Sequence, residues 1–133
     1  MIELHRGSAL VLAGPEGCGN TTIAREIAAP HGKPVEVFLN DLDNPFRLGA
    51  MLRLKAPVAI VDGAPVSRAG SMTLFALIGR PTFVAAEHGV EGEVMPTPHL
   101  VFCAQPRDDL RFMQHHPSWF RLLRWDEAKK VFC

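Results

Sequence analysis

Apolar residues in this chain fall either in short uninterrupted runs or in longer segments where they recur every three or four positions. The runs are typical of strands buried on both faces of a sheet, and the longer spacing is typical of helices with one apolar face. Strands are predicted at 7–12, 34–39, 57–61, 82–86, 93–95, 99–104 and 119–125, and helices at 21–29, 45–55 and 65–78. This alternation predicts an α/β fold with a mainly parallel sheet, interrupted by a hairpin near residues 82–95.

The most specific motif lies between the first strand and the first helix. It reads Gly14-Pro15-Glu16-Gly17-Cys18-Gly19-Asn20-Thr21-Thr22. Glycines there let backbone N–H groups face a phosphate, and the helix that follows presents its positive dipole end. The spacing is that of the Walker A loop, so we predict that residues 14–22 bind nucleotide phosphates and that Thr21 ligates Mg²⁺. The alternative is a turn that only requires small residues.

Asn20 stands where the Walker A pattern has lysine. The lysine supplies a full positive charge to the β- and γ-phosphates, whereas an asparagine offers neutral N–H donors on a shorter side chain. Hydrogen bonds to charged groups contribute about 1.5–3 kcal/mol against roughly 1 kcal/mol for neutral ones, so we expect at least about tenfold weaker binding. We expect turnover to fall further.

Two polar residues follow apolar strands and are predicted to lie near this loop. Asp62 ends the run 57–61, in the position from which a Walker B carboxylate holds Mg²⁺. The alternative is that Asp62 opens a turn with Gly63, a residue that replaces the glutamate base of many such ATPases. Gln105 follows strand 99–104 and is predicted either to hold the γ-phosphate or attacking water, or to cap its strand.

Length and composition limit the remaining choices. We expect 133 residues to form one domain, 1–133, and 47% hydrophobic with 21% charged residues is typical of a soluble globular protein. Fourteen basic and fourteen acidic residues leave no net charge, so any DNA contact must be local. Membrane spans are not predicted. Three scattered cysteines favour a reducing cytoplasm over a disulfide framework or zinc site.

The order of these features resembles the ATPase core of the superfamily 3 helicases, the AAA+-like motors of small viruses, phages and plasmids. The resemblance implies a three-layer α-β-α sandwich with about five mainly parallel strands and a β-hairpin before the strand that carries the polar sensor, here Gln105. It also implies ATP and Mg²⁺ as cofactors, a hexameric ring, and single-stranded DNA tracked by the hairpin. Arg121 matches the arginine finger that reaches a neighbouring subunit's nucleotide, with Arg124 the next candidate.

Three functions follow from these patterns. The first is an ATP-binding, helicase-like P-loop domain in phage or mobile-element DNA replication, with hydrolysis weakened or lost; if it is active as a hydrolase, Asp62, Gln105 and Arg121 are its catalytic residues. The second is an inactive pseudo-ATPase that assembles with or regulates another replication protein. The third is a small nucleotide kinase, because Asp62-Gly63-Ala64-Pro65 resembles the Asp-Gly-x-Pro signature of adenylate-kinase-like enzymes.

Overall fold

A computed structural model of the chain describes residues 2–65, 77–78, 80–87 and 90–133. The strands are β1 (Ala9–Ala13), β2 (Val35–Phe38), β3 (Val58–Asp62), β4 (Thr82–Glu87), β5 (Val90–Pro96), β6 (His99–Ala104), β7 (Phe120–Asp126) and β8 (Val131–Phe132). The helices are α1 (Asn20–Ala28), α2 (Pro45–Arg53) and α3 (Arg111–Gln114), with 3-10 turns at Ala29–His31 and Leu39–Leu42. Most of the helix predicted at 65–78 lies outside the described residues.

Six strands form one sheet in the order β2-β3-β6-β1-β7-β8. The first five run parallel, and β8 runs antiparallel to β7. The prediction of a mainly parallel α/β sheet is therefore confirmed. The last strand, β8, is not among the strands predicted from the sequence. Asp126 Oδ1 accepts hydrogen bonds from the N–H groups of Ala128 and Lys129, which closes the turn that returns the chain to β7.

The sheet is covered on both faces, as a sandwich requires. Along β1, Leu10 and Leu12 belong to the apolar cluster under α1, whereas Ala9, Val11 and Ala13 belong to the cluster under α2. The helices contribute Ala24, Ile27 and Ala28 from α1 and Leu48, Met51 and Leu52 from α2. All five residues of β1 are buried, which explains why its sequence is uniformly apolar. Among the described residues, no helix has the length and apolarity needed to cross a bilayer.

The predicted hairpin is formed by β4 and β5, which pair antiparallel. Ala85 and Met95 are buried in the cluster under α2, whereas the cross-strand pair Val84 and Val94 is exposed on the outer side. Its strands are longer than the sequence predicts, because the turn is shorter. The hairpin tip, which the sequence marks as a candidate partner contact, includes residues 88–89 and lies outside the described residues.

Parallel strands give the sheet two chemically different ends. We call the end where β1, β3 and β6 finish the carboxyl edge, and the end where they begin the amino edge. Ala13 pairs with Ala104, and Asp62 pairs with Cys103, so three strands reach the carboxyl edge together. Any side chains placed just beyond these strand ends must therefore lie near one another.

Candidate functional site

The glycine loop, residues 14–19, joins β1 to α1 and owes its glycines to two different causes. Gly17 and Gly19 both have φ of +83°, a left-handed conformation that glycine adopts without strain. Gly14 is required by close packing instead, because a Cβ there would lie 2.7 Å from Cys18 Sγ and 2.9 Å from Trp125 Cβ. Backbone conformation and close packing account for these glycines without a ligand, so the choice between a phosphate-binding loop and a structural turn depends on the surrounding side chains.

Asn20 points into the protein, not toward the cavities of the carboxyl edge. Asn20 is only 7% exposed, and its Nδ2 lies 3.5 Å from the carbonyl oxygen of Ala104 at the end of β6. The same carbonyl accepts a hydrogen bond from the Gly14 N–H. Asn20 Oδ1 accepts the Thr21 N–H at 2.9 Å. The amide therefore links the loop to β6 and accepts a hydrogen bond from one of the N–H groups at the start of α1.

The exposed positions of the loop lie on either side of the buried Asn20 in the sequence. Pro15, Glu16 and Gly17 are exposed at the turn, and Thr22 is exposed on the first turn of α1. Cys18 is half-buried and packs against the cluster under α1. Glu16 thus brings a negative charge to the side of the loop where a phosphate is expected.

Thr21 and Asp62 line the same cavity, as the sequence predicts. This cavity has a volume of about 220 Å³ and is bordered by Thr21, Glu36, Val37, Phe38, Ile60, Asp62 and Cys103. Asp62 is exposed at the end of β3, and the Thr21 side chain is near enough to the Cys103 thiol to lower its pKa. The oxygen lone pairs of the Thr21 hydroxyl are available to a ligand in the cavity.

Cys103 forms part of this cavity and remains a neutral thiol. Its pKa is raised to about 11, mainly by burial and also by the nearby Asp62 carboxylate, while the Thr21 side chain acts in the opposite direction. A thiol with this pKa is almost entirely protonated near neutral pH. Cys103 is therefore unsuited to act as a nucleophile or as a thiolate ligand, and the cavity keeps oxygen atoms as its metal-binding groups.

Gln105 lines a second cavity, which shares Asp62 with the first. The second cavity measures about 420 Å³ and is bordered by Glu16, Asp62, Gln105, Pro106 and Arg107. The strand end itself is capped by Asp108, whose Oδ2 accepts the Gln105 N–H at 2.6 Å. This arrangement leaves the Gln105 amide available to the cavity. Arg107 was not predicted from the sequence, although its position two residues after Gln105 is the signal that identifies it.

Arg121 lies near the amino edge, away from these two cavities. It pairs with Leu10, near the start of β1, and its Nη1 donates a hydrogen bond to the Glu3 carbonyl oxygen at 2.6 Å. Arg124 pairs with Ala13 and so lies nearer the glycine loop. Action of Arg121 on a neighbouring subunit's nucleotide stays a prediction.

The residues present fit a magnesium ion held mainly by its nucleotide. Among the described residues, no group of three His, Cys, Asp or Glu side chains is arranged to hold a metal. Mg²⁺ in nucleotide sites needs only one or two protein oxygen ligands, because phosphates and water complete its coordination. Thr21 and Asp62 supply a hydroxyl and a carboxylate to one cavity, so their chemistry suits this arrangement.

No protein-family model and no curated protein matches the chain. Solved structures of the C-terminal region of NrS-1 are similar in fold. Two A-form apo structures have TM-scores of 0.58 and 0.56, at 12% and 13% sequence identity respectively. Another apo structure has a TM-score of 0.58 at 13% identity. Each alignment covers 89% of this chain and 28–29% of the NrS-1 chain. The chain thus spans less than a third of those structures. The similarity is one of fold.

Proposed function

We propose that the chain is an ATP-binding, helicase-like P-loop domain in which hydrolysis is weakened or lost. The observation that carries the proposal is the meeting of Thr21 and Asp62 in one cavity beside the glycine loop. Ligands of open α/β sheets bind outside the carboxyl ends of the strands, and this cavity lies there. A role in phage or mobile-element DNA replication rests on the resemblance to superfamily 3 helicases.

Each residue of the site has a role under this proposal. Backbone N–H groups of the glycine loop bind the phosphates, and Thr21 with Asp62 orients Mg²⁺, which neutralises phosphate charge when bound. Gln105 directs its amide to the γ-phosphate or to water, while Arg107 supplies a positive charge across the second cavity. Asn20 supplies no charge, because its amide is neutral, and its polar atoms are directed to Ala104 and Thr21. Binding without lysine is therefore expected to be weak.

Gly63 supports the loss of hydrolysis. In many related ATPases the residue after the Walker B aspartate is a glutamate base, yet Gly63 has φ of +126°, and a Cβ there would lie 2.9 Å from Leu39 Cβ. A side chain at this position would therefore need both a strained backbone and a shift of the turn at Leu39–Leu42. The base cannot be restored by substitution at Gly63 alone.

The burial of Asn20 favours a second candidate, the inactive pseudo-ATPase with an assembly or regulatory role. A loop that satisfies its own polar groups can keep its shape without a nucleotide. The kinase hypothesis gains less support, since such kinases surround two nucleotides with several arginines. Of the described residues, Arg107 is the one arginine bordering either cavity of the carboxyl edge.

Calorimetry with ATP and Mg²⁺ distinguishes the two candidates, with phosphate release followed in the same samples. The natural chain is expected to bind weakly, and Asn20→Lys is expected to bind at least about tenfold more tightly because it restores a charged donor. Asn20→Ala is the matched control, since it removes the amide without adding charge. Phosphate release should stay low in all three because of Gly63.

The outcomes separate the candidates. Binding by the natural chain supports the proposed function, and it is then tested further by nucleotide-dependent oligomerisation and by stimulation with single-stranded DNA. Binding by Asn20→Lys alone supports the pseudo-ATPase. No binding by any folded variant overturns both the nucleotide site and its derivation from an ATPase.

A further inference from the structure

A separate cavity lies at the amino edge of the sheet, at the opposite end from the glycine loop. It measures about 500 Å³ and is bordered by residues from the segment before β1, from both ends of the hairpin and from the start of β6. Four of its lining residues are basic: His5, Arg6, Arg80 and His99. No acidic side chain is among the described residues that line it. The two arginines are positively charged at neutral pH, so in a chain with no net charge this cavity is a local concentration of positive charge.

We propose that this cavity, which we call the basic cavity, binds the phosphodiester backbone of single-stranded nucleic acid. Guanidinium groups are suited to phosphate because their N–H donors match two of its oxygens. Arg6, Arg80 and His5 are exposed and therefore accessible to a ligand strand. The proposal goes beyond nucleotide binding at the carboxyl edge and does not depend on it.

Thr97 positions the two arginines relative to each other. It is 5% exposed, its carbonyl oxygen accepts a hydrogen bond from Arg6 Nη1 at 3.1 Å, and its hydroxyl donates to the Arg80 carbonyl oxygen at 2.6 Å. One contact orients the Arg6 guanidinium, and the other fixes the backbone that carries Arg80. Within the described part of the chain, neither arginine forms an ion pair with a carboxylate.

His99, which lines the basic cavity, has only basic groups among the neighbours that shift its pKa. Burial lowers its pKa, and repulsion from Arg6 and His31 lowers it further, while a hydrogen bond involving the backbone of His5 acts in the opposite direction. The rings of His31 and His99 lie 5.2 Å apart. None of these influences comes from a carboxylate. A phosphate placed here would therefore meet the charged Arg6 guanidinium without competition from a carboxylate acting on His99.

The lining of the basic cavity favours a nucleic-acid strand over a free phosphate. Its remaining lining is largely apolar: Pro81 and Pro98 are accessible, whereas Leu77, Ile78 and Leu100 are buried at 2%, 8% and 3% exposure. Inorganic phosphate would use only the basic groups, whereas a nucleotide within a strand also places sugar and base atoms on the apolar surface. Grooves that bind single strands combine positive charge for the backbone with apolar contacts for the bases.

Fluorescence anisotropy with a labelled oligothymidylate tests the proposal. Arg80→Gln should weaken binding about tenfold at low salt, and Arg6→Gln/Arg80→Gln about hundredfold, because each change removes a charged donor. Lys129→Gln is the matched control: it removes one charge from the exposed turn between β7 and β8 and should change affinity less than about twofold. Each arginine removed should also reduce the salt slope by about 0.7.

The Arg80→Gln variant is expected to fold, because the hydrogen bond from Thr97 is accepted by the main-chain carbonyl of Arg80 and not by its side chain. The proposal is overturned if this folded variant binds the oligonucleotide as the natural chain does, or if Lys129→Gln weakens binding equally. It is also overturned if inorganic phosphate or thymidine monophosphate competes as strongly as the oligonucleotide, which would indicate a small phosphate ligand. ATP calorimetry on Arg80→Gln keeps this result separate from the carboxyl-edge site.

Discussion

The two edges of the sheet present different chemical groups although the same parallel strands form both. At the carboxyl edge, Thr21, Asp62 and Gln105 place oxygen and amide groups around two small cavities. At the amino edge, Arg6 and Arg80 place guanidinium groups around a larger one. A net charge of zero thus conceals a separation of chemistry along the strand direction. The comparison teaches that partner predictions from net charge must be made for each edge and not for the whole chain.

We expect the largest contrast between the two edges when the site at one edge is disabled and the site at the other edge is left intact. Asp62→Asn should weaken Mg²⁺-dependent ATP binding at least about tenfold, since it removes the carboxylate that orients the ion. It should leave oligonucleotide affinity unchanged, whereas Arg80→Gln should show the reverse pattern. Calorimetry and anisotropy on both variants check this, with Asp43→Asn as an exposed carboxylate control. Loss of both ligands from either variant would mean that the edges do not act independently.

A separate effect, on stability and not on ligand binding, is expected from the titration of Cys103. Its folded pKa of about 11 lies above the ordinary value of 9.0, so the unfolded chain releases this proton first as the pH rises. The stability contribution is complete below pH 9 and is lost between about pH 9 and 11, by up to about 3 kcal/mol. Urea unfolding across this range should show the loss, and Cys103→Ser should flatten it. The chain has no tyrosine to obscure the transition. An equally steep loss in Cys103→Ser would assign it to other groups.

The smallest effects are expected from glycines at the two ends of β1. Gly14→Ala should destabilise the fold by about 1–3 kcal/mol, because the new Cβ overlaps Cys18 and Trp125. Gly7→Ala, at the amino edge, meets nothing within 4 Å and should cost about 1 kcal/mol, for its φ of +83° alone. Thermal unfolding measures both. Equal losses would show that crowding at the glycine loop contributes nothing beyond backbone strain.

Local patterns predicted much of the carboxyl edge. The apolar runs before Gly14 and Asp62 identify β1 and β3, because strands buried on both faces cannot carry polar residues. The meeting of Thr21 with Asp62 follows from parallel strands that finish at one edge. The bounds of β6 match the prediction for the same reason. The strand bounds depend on residues close together in sequence, and the meeting of Thr21 with Asp62 depends on the parallel order of the strands.

Contacts between distant segments escaped prediction. Asn20 turns inward because the Ala104 carbonyl is beside it, and no local pattern announces that neighbour. Arg121 is placed near the amino edge by the register of β7 on β1, which a list of strands does not contain. The basic cavity draws on three separate segments that only the folded sheet brings together. The two-residue strand β8 is too short to show a period.

The central position of β1 has a consequence for the order in which the protein is made. β1 is synthesised before its two neighbours, yet Leu10 pairs with Val101 on one side and with Arg121 on the other. A ribosome must therefore complete most of this chain before the strand that leads into the glycine loop has either partner. Contacts so distant in sequence slow folding and leave apolar segments exposed meanwhile. During translation, we expect the exposed apolar strand β1 to be a binding site for a chaperone.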